Sequence, residues 1–181
     1  MPISKTEAAD ALRSVEQTER LSGDLRAYAA SAPHFFIWGL AWAAGYGFSA
    51  AVPDKRNLIW LGVIIAGSIA SAIAGARHGG GRRSLVQSVS ISVAIVLITT
   101  VFVTVLAPME PRKIEALIPL FVAGFYLLIG IWTGPRFAVA GVVLGAVTVA
   151  GYFIAGDNFG YWMAAAGGGV LVMTGLWLRS A

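Results

Sequence analysis

The chain has 181 residues, 57% of them hydrophobic and 12% charged, with a mean hydropathy of +0.77. Soluble domains carry about 25% charged residues, so this composition excludes an ordinary water-exposed globule and points to a polytopic membrane protein. The net charge of +4 does not point to nucleic acid, because the bases sit in short loops and at the ends of apolar runs, where they set orientation, and zero cysteines exclude disulfides, thiolate nucleophiles and Cys-ligated metals.

Residues 1–31 read as a charged cytosolic helix. Ser4 and Glu7 form a capping box, in which hydroxyl and carboxylate satisfy free backbone N–H groups. Acids and bases then alternate through Asp10, Arg13, Glu16, Glu19, Arg20, Asp24 and Arg26. Leu21, Leu25 and Tyr28 keep the i, i+4, i+7 spacing of one helix face, while Leu12 and Val15 fall on a shifted stripe. Two readings stand: a solvated helix leaning on a bundle or membrane surface, and a coiled-coil or partner-docking handle. A helix this polar is marginal in isolation, so it is expected to lean on something. Pro33 is expected in the first turn of the next helix, where its missing N–H costs nothing.

Residues 32–181 form the membrane domain. The run 34–52 contains no acid and no base, and at about 1.5 Å per residue it crosses a hydrocarbon core of about 30 Å. The small-residue triplet Ala30-Ser31-Ala32 precedes this run, whereas a signal-peptidase site follows one, so an uncleaved anchor is expected. Five more runs follow at 58–76, 85–107, 117–133, 137–155 and 159–178, punctuated by Pro, Gly and Arg. The strict alternation of a transmembrane barrel is absent. The fold class is therefore all-α, a bundle of six transmembrane helices. Lys5, Arg13, Arg20, Arg26, Arg77, Arg82, Arg83, Arg136 and Arg179 share one side if the N-terminus is cytosolic, against Lys55, Arg56, Arg112 and Lys113 on the other. That bias predicts N-in and C-in.

Lipid tails are as apolar as leucine, so membrane helices associate through close approach at small residues and through hydrogen bonds. Gly39, Ala43, Gly47 and Ala51 recur every fourth residue on the first span. Gly62, Ala66, Ala70 and Ala74 do so on the second, with Gly67, Ser71 and Gly75 beside them. Gly141 and Gly145 mark the fifth span, and Gly160, Ala164 and Gly168 the sixth. The third carries hydroxyls instead: Ser88, Ser92, Thr99, Thr100 and Thr104, which are expected to bond across helices. The halves 34–107 and 117–178 each hold three spans and open with a Gly/aromatic helix, the outline of an inverted repeat.

The chemistry is sparse. No span carries an ionisable group at its middle, which removes the usual sign of proton- or ion-coupled transport, and no span has a central proline, the mark of many broken-helix transporter sites. Glu110 and Glu115 share the loop before the fourth span with Arg112 and Lys113, but no nucleophile or metal cluster accompanies them, so no catalytic residue, metal or cofactor is assigned. Trp38, Trp42 and Tyr46 line one edge of the first span. They read either as a face against lipid or a neighbouring helix, or as a wall for a flat ligand such as haem, a quinone or a carotenoid. His34 and His78 bracket the first two spans on the cytosolic side and are the weak ligand candidates beside that wall. Trp60, Trp132, Tyr161, Trp162 and Trp177 fall near span ends, as an interfacial belt requires. Gly167-Gly168-Gly169 is no phosphate loop, since no Lys-Ser/Thr follows it. Arg77, Arg82 and Arg83, around Gly79-Gly80-Gly81, set orientation and are candidates for anionic lipid head groups.

The segments SAPHFFIWGLAWAAGYG (31–47), GIWTGPR (130–136) and GLWLRS (175–180) resemble small six-span inner-membrane proteins of proteobacteria. The resemblance implies a fold and a bacterial inner membrane but no activity, and it carries no catalytic or binding residue. Taken together, the expectation is a non-enzymatic accessory, assembly or signalling-type subunit. It would act through membrane lipids, through a protein partner on the N-terminal helix, or through its own copies, and not through nucleic acid. The alternatives are an uncoupled small-molecule or lipid transporter or channel, and a hydrophobic-ligand binder.

Overall fold

The computed structural model describes residues 5–77 and 110–180. Between these it describes Ser90, Val93, Leu97, Ile98, Thr100, Val101, Thr104 and Val105, all of them helical. Among the described residues there is no strand. The capping-box Ser4 lies outside them, as do Ser88, Ser92 and Thr99.

Helix α1 spans Lys5–Ala51, 47 residues without interruption. At about 1.5 Å per residue it is about 70 Å long, more than twice a hydrocarbon core of about 30 Å. The expected boundary near residue 31 is not a break: Pro33 sits in the interior of α1 rather than in the first turn of a second helix. Proline removes one i→i−4 hydrogen bond, and the carbonyl it leaves belongs to Ala29, an exposed position that solvent can serve. The helix therefore continues. Its buried positions are Tyr28, Ala32, Phe35, Gly39, Trp42, Gly45, Tyr46 and Ser49, and all but Gly45 follow in steps of three and four that draw one stripe along the helix.

That stripe faces the last helix of the chain. Short α5, Phe159–Trp162, widens into a π-helical turn, Met163–Gly167, and continues as α6, Gly168–Arg179. Two of the predicted glycine rows meet here in antiparallel register. A Cβ on Gly39 would stand 2.7 Å from Val172 Cγ2 and 3.0 Å from the Gly168 carbonyl oxygen. Further along, Gly47 faces Ala164, and Gly160 lies against Ala50 and the Tyr46 carbonyl. Below them Gly175 approaches the Ala32 carbonyl.

Helix α2, Arg56–Gly75, runs back along α1. Trp60 covers Gly45, and Gly67 lies under Trp38 beside Ala41. The seam of α2 is thus Gly67 and Ser71, both buried, and not the row starting at Gly62. Gly62 and Ala66 are exposed, and a Cβ on Gly62 would meet nothing within 4 Å. The opposite face of α2 carries Leu58, Leu61, Ile65, Ile69 and Ile73, all exposed. A continuous outward stripe of this size is foreign to a soluble monomer and normal for a helix facing lipid.

Helices α3, Pro111–Thr133, and α4, Pro135–Ile154, form a tight hairpin. Helix α3 starts six residues before the run 117–133, because Pro111 serves as its first helical residue. The two helices close on Gly141, whose Cβ would meet the Ala123 carbonyl oxygen at 2.6 Å, and on Gly130 against Ala138. Trp162 lies on Gly151 and donates its Nε1–H to the Val147 carbonyl at 3.0 Å, tying α4 to α5. Thr148 and Thr104 bond back along their own helices, to the Leu144 and Thr100 carbonyls, each at 2.8 Å.

Gly134 alone links α3 to α4, at φ +121° and ψ 153°, a region open in practice only to glycine. The Tyr28 hydroxyl occupies the space a Cβ would need. Arg136 lies over the Tyr28 ring at 5.3 Å and the Trp177 ring at 5.2 Å, and donates to the Trp177 carbonyl at 2.6 Å. One arginine thereby ties α1, α4 and α6 at the Tyr28 end of the bundle. Gly134→Ala is expected to cost about 1–3 kcal/mol of backbone strain and to displace Tyr28, read as a lowered unfolding midpoint in detergent. Tyr28→Phe should recover the steric part and leave the strain. A Gly134→Ala protein with an unchanged midpoint would contradict this account of the turn.

Among the described residues four helical stretches are long and apolar enough to cross a membrane: Pro53–Gly75, Pro111–Thr133, Pro135–Ile154 and Gly156–Arg179. The apolar half of α1, diluted by His34, Trp38, Trp42 and Tyr46, is not among these four.

Candidate functional site

The polar chemistry of the bundle gathers at the end opposite Tyr28. Pro111 starts α3 here, so Glu115 stands on the second turn of that helix and not in a loop. Arg56, the first residue of α2, meets it: Nη1 lies 2.9 Å from Glu115 Oε1, with the two side chains 32% and 16% exposed. Arg112 places its guanidinium 5.0 Å from the centre of the Tyr152 ring. The short turn Gly156–Asn158 closes the same corner, with Gly156 at φ +53°. Between them lies a cavity of about 240 Å³, lined by Arg56, Glu110, Pro111, Arg112, Glu115, Gly156, Asp157 and Phe159.

A hydrogen bond connects this corner to the aromatic edge of α1. The Tyr46 hydroxyl donates to the backbone carbonyl of Glu115 at 2.8 Å. Pro119, buried in the interior of α3, supplies the reason. In an α-helix the N–H of residue 119 would bond the carbonyl of residue 115, and proline has no N–H. A carbonyl left without a donor inside an apolar bundle is costly, and Tyr46 takes the place of the missing donor.

The same bond sets the aromatic edge of α1 against α3. Tyr46 and Trp42 are buried, with ring centres 5.8 Å apart, and Trp60 stands edge-on to Tyr46 at 4.9 Å. Trp38 lies on Gly67 of α2. These rings pack against the bundle and one another. His34 is half-buried one turn before Trp38 on α1. His78, Arg82 and Arg83 lie outside the described residues, and Arg77 is exposed just past the end of α2. Of the tryptophans and tyrosine expected at an interface, Trp132, Tyr161 and Trp177 are exposed, whereas Trp60 and Trp162 pack against the core.

Among the described residues no group of three or more His, Cys, Asp or Glu is arranged to hold a metal ion. The sequence named Glu110, Glu115 and Arg112 but did not pair them with Arg56 or Asp157, which are distant in the chain and adjacent only once four helices pack. The Pro119–Glu115–Tyr46 relation was half visible, as a proline four residues after a glutamate. It needed the knowledge that α3 starts at Pro111.

Compared with known proteins, the chain matches no family model, no curated protein and no solved structure.

Proposed function

We propose that this chain is a six-span protein of the bacterial inner membrane, with both termini in the cytosol, and that it works as a non-enzymatic accessory, assembly or signalling-type subunit. The observation that carries the reading is the single helix α1. It joins an exposed, charged arm to the centre of the bundle without a hinge. The stripe buried at Tyr28, Ala32 and Phe35 continues outward in the same three–four spacing as Leu25, Leu21, Thr18, Ser14 and Ala11, all exposed. A partner helix, from another subunit or a second copy, seated on that continuation would extend the seam already formed inside the bundle. Because α1 is continuous, such docking transmits directly to the core.

The six-span count draws support from helix direction. Helices α2 and α3 both run antiparallel to α1, and the Arg56–Glu115 pair joins their starts. A return crossing between them would be supplied by the apolar run 85–107. In the N-in orientation the arm, Arg77, Arg82, Arg83, Arg136 and Arg179 face the cytosol, where they meet anionic head groups.

Two measurements test this. Reporter fusions after residues 55, 110 and 157 should report the periplasm, and fusions at either terminus the cytosol. Leu21→Asp together with Leu25→Asp should leave the bundle's unfolding midpoint unchanged and abolish association, read as loss of co-purified subunits or of the oligomer in crosslinking. An unaltered set of associated proteins and an unaltered oligomer would remove the docking role from the arm.

A further inference from the structure

The cavity at the Glu115 end is bordered by two opposite charges that the fold leaves unmatched. Glu115 is taken up by Arg56, and Glu110 faces Lys113 at 3.6 Å. Arg112 and Asp157, by contrast, are in no ion pair among the described residues, with each other or with any other group, although both line this cavity. The Arg112 guanidinium is held in place by the Tyr152 ring. The Nε atoms of Arg112 and Arg56 are both buried, and neither finds an acceptor among the described residues. A guanidinium offers five N–H donors in one plane and matches the oxygens of a phosphate. Asp157 is exposed in its turn and presents acceptors only.

We propose that this cavity binds a zwitterionic phosphoamine, with the phosphate on Arg112 and Arg56 and the primary ammonium on Asp157. Two guanidinium groups suit the several oxygens of a phosphate better than a single carboxylate. The 240 Å³ volume equals that of about eight waters at about 30 Å³ each, room for a phosphoethanolamine head group without its acyl chains. The site lies where the apolar stretches Pro53–Gly75, Pro111–Thr133 and Gly156–Arg179 begin and where Pro135–Ile154 ends. That is the depth of lipid head groups. Phosphatidylethanolamine supplies this chemistry from the membrane, and free phosphoethanolamine supplies it from solution.

The test is native mass spectrometry of the detergent-purified full chain. Dioleoyl-phosphatidylethanolamine, -phosphatidylcholine and -phosphatidylglycerol are added in separate experiments, and soluble phosphoethanolamine in another. The wild-type protein should retain phosphatidylethanolamine over phosphatidylcholine, whose ammonium has no N–H, by about tenfold, the worth of one charge-assisted hydrogen bond. Asp157→Asn should erase that preference and leave phosphatidylglycerol retention unchanged. Its exposed position keeps the fold out of question. Arg112→Gln should lower retention of all three lipids, with the gel-filtration profile as its folding control. Binding of soluble phosphoethanolamine alone, lost in both variants, would assign the site to a soluble ligand. The proposal is overturned if neither phosphatidylethanolamine nor phosphoethanolamine binds in a manner sensitive to Asp157 and Arg112.

Discussion

Tyr46→Phe is expected to destabilise the bundle by about 1–3 kcal/mol, the cost of leaving one buried acceptor without a donor, and the loss should vanish in a Pro119→Ala background. The phenylalanine keeps the ring that packs against Trp42 and Trp60, so packing is conserved and only the hydroxyl goes. What remains is the Glu115 carbonyl, which Pro119 cannot bond. Alanine at 119 restores an N–H one turn along the helix, and the carbonyl regains its ordinary partner. Unfolding in detergent, followed by circular dichroism across the four proteins of a double-mutant cycle, measures the coupling. A Tyr46→Phe cost that is equal in both backgrounds would show that the hydroxyl is not standing in for the missing N–H.

The second large effect lies on the α1–α6 seam. Gly39→Ala puts a Cβ 2.9 Å from the Val172 backbone nitrogen and 3.0 Å from the Gly168 carbonyl oxygen. Backbone cannot swing aside as a side chain can, so the helices must separate. Overpacking of this kind costs about 1–3 kcal/mol. Gly39→Leu should cost more and loosen the last helix from the bundle. Gly168→Ala meets the mirror image of this contact, at 2.9 Å from the Gly39 carbonyl oxygen. Gly62→Ala and Gly124→Ala are the controls, since a Cβ at either position meets nothing within 4 Å. Both should be neutral or slightly stabilising, because alanine loses less backbone entropy than glycine in a helix. Equal destabilisation at Gly39 and Gly62 would mean that the spacing of small residues, rather than the packed contact, governs stability.

These two predictions separate what periodicity can reveal from what it cannot. Gly39, Gly47, Gly160 and Gly168 stood out from their four-residue spacing, and they do meet. Gly62 and Ala66 had the same spacing and are exposed, while their neighbours Gly67 and Ser71 are buried. In a membrane the rule that apolar residues face inward does not operate, so spacing names a stripe without naming its direction. Trp42 and Tyr46 pose the same difficulty. Their spacing fits a ligand wall and a packing face alike, and only the tertiary structure shows Tyr46 against the Trp60 ring and the Glu115 carbonyl.

Composition and hydropathy sufficed for the all-helical class, for apolar stretches of membrane length and for the polar character of the arm, because each of these depends on local solvent preference alone. The chain also showed Pro33 and Pro119, but not their consequences. The first is carried within a 47-residue helix because its orphan carbonyl lies at an exposed position, and the second because Tyr46 reaches across from α1. The pairing of Arg56 with Glu115 and the meeting of Arg112 with Asp157 around one cavity came only with tertiary structure. Charges this far apart in sequence become neighbours through the directions in which helices pack, and no local preference encodes those directions.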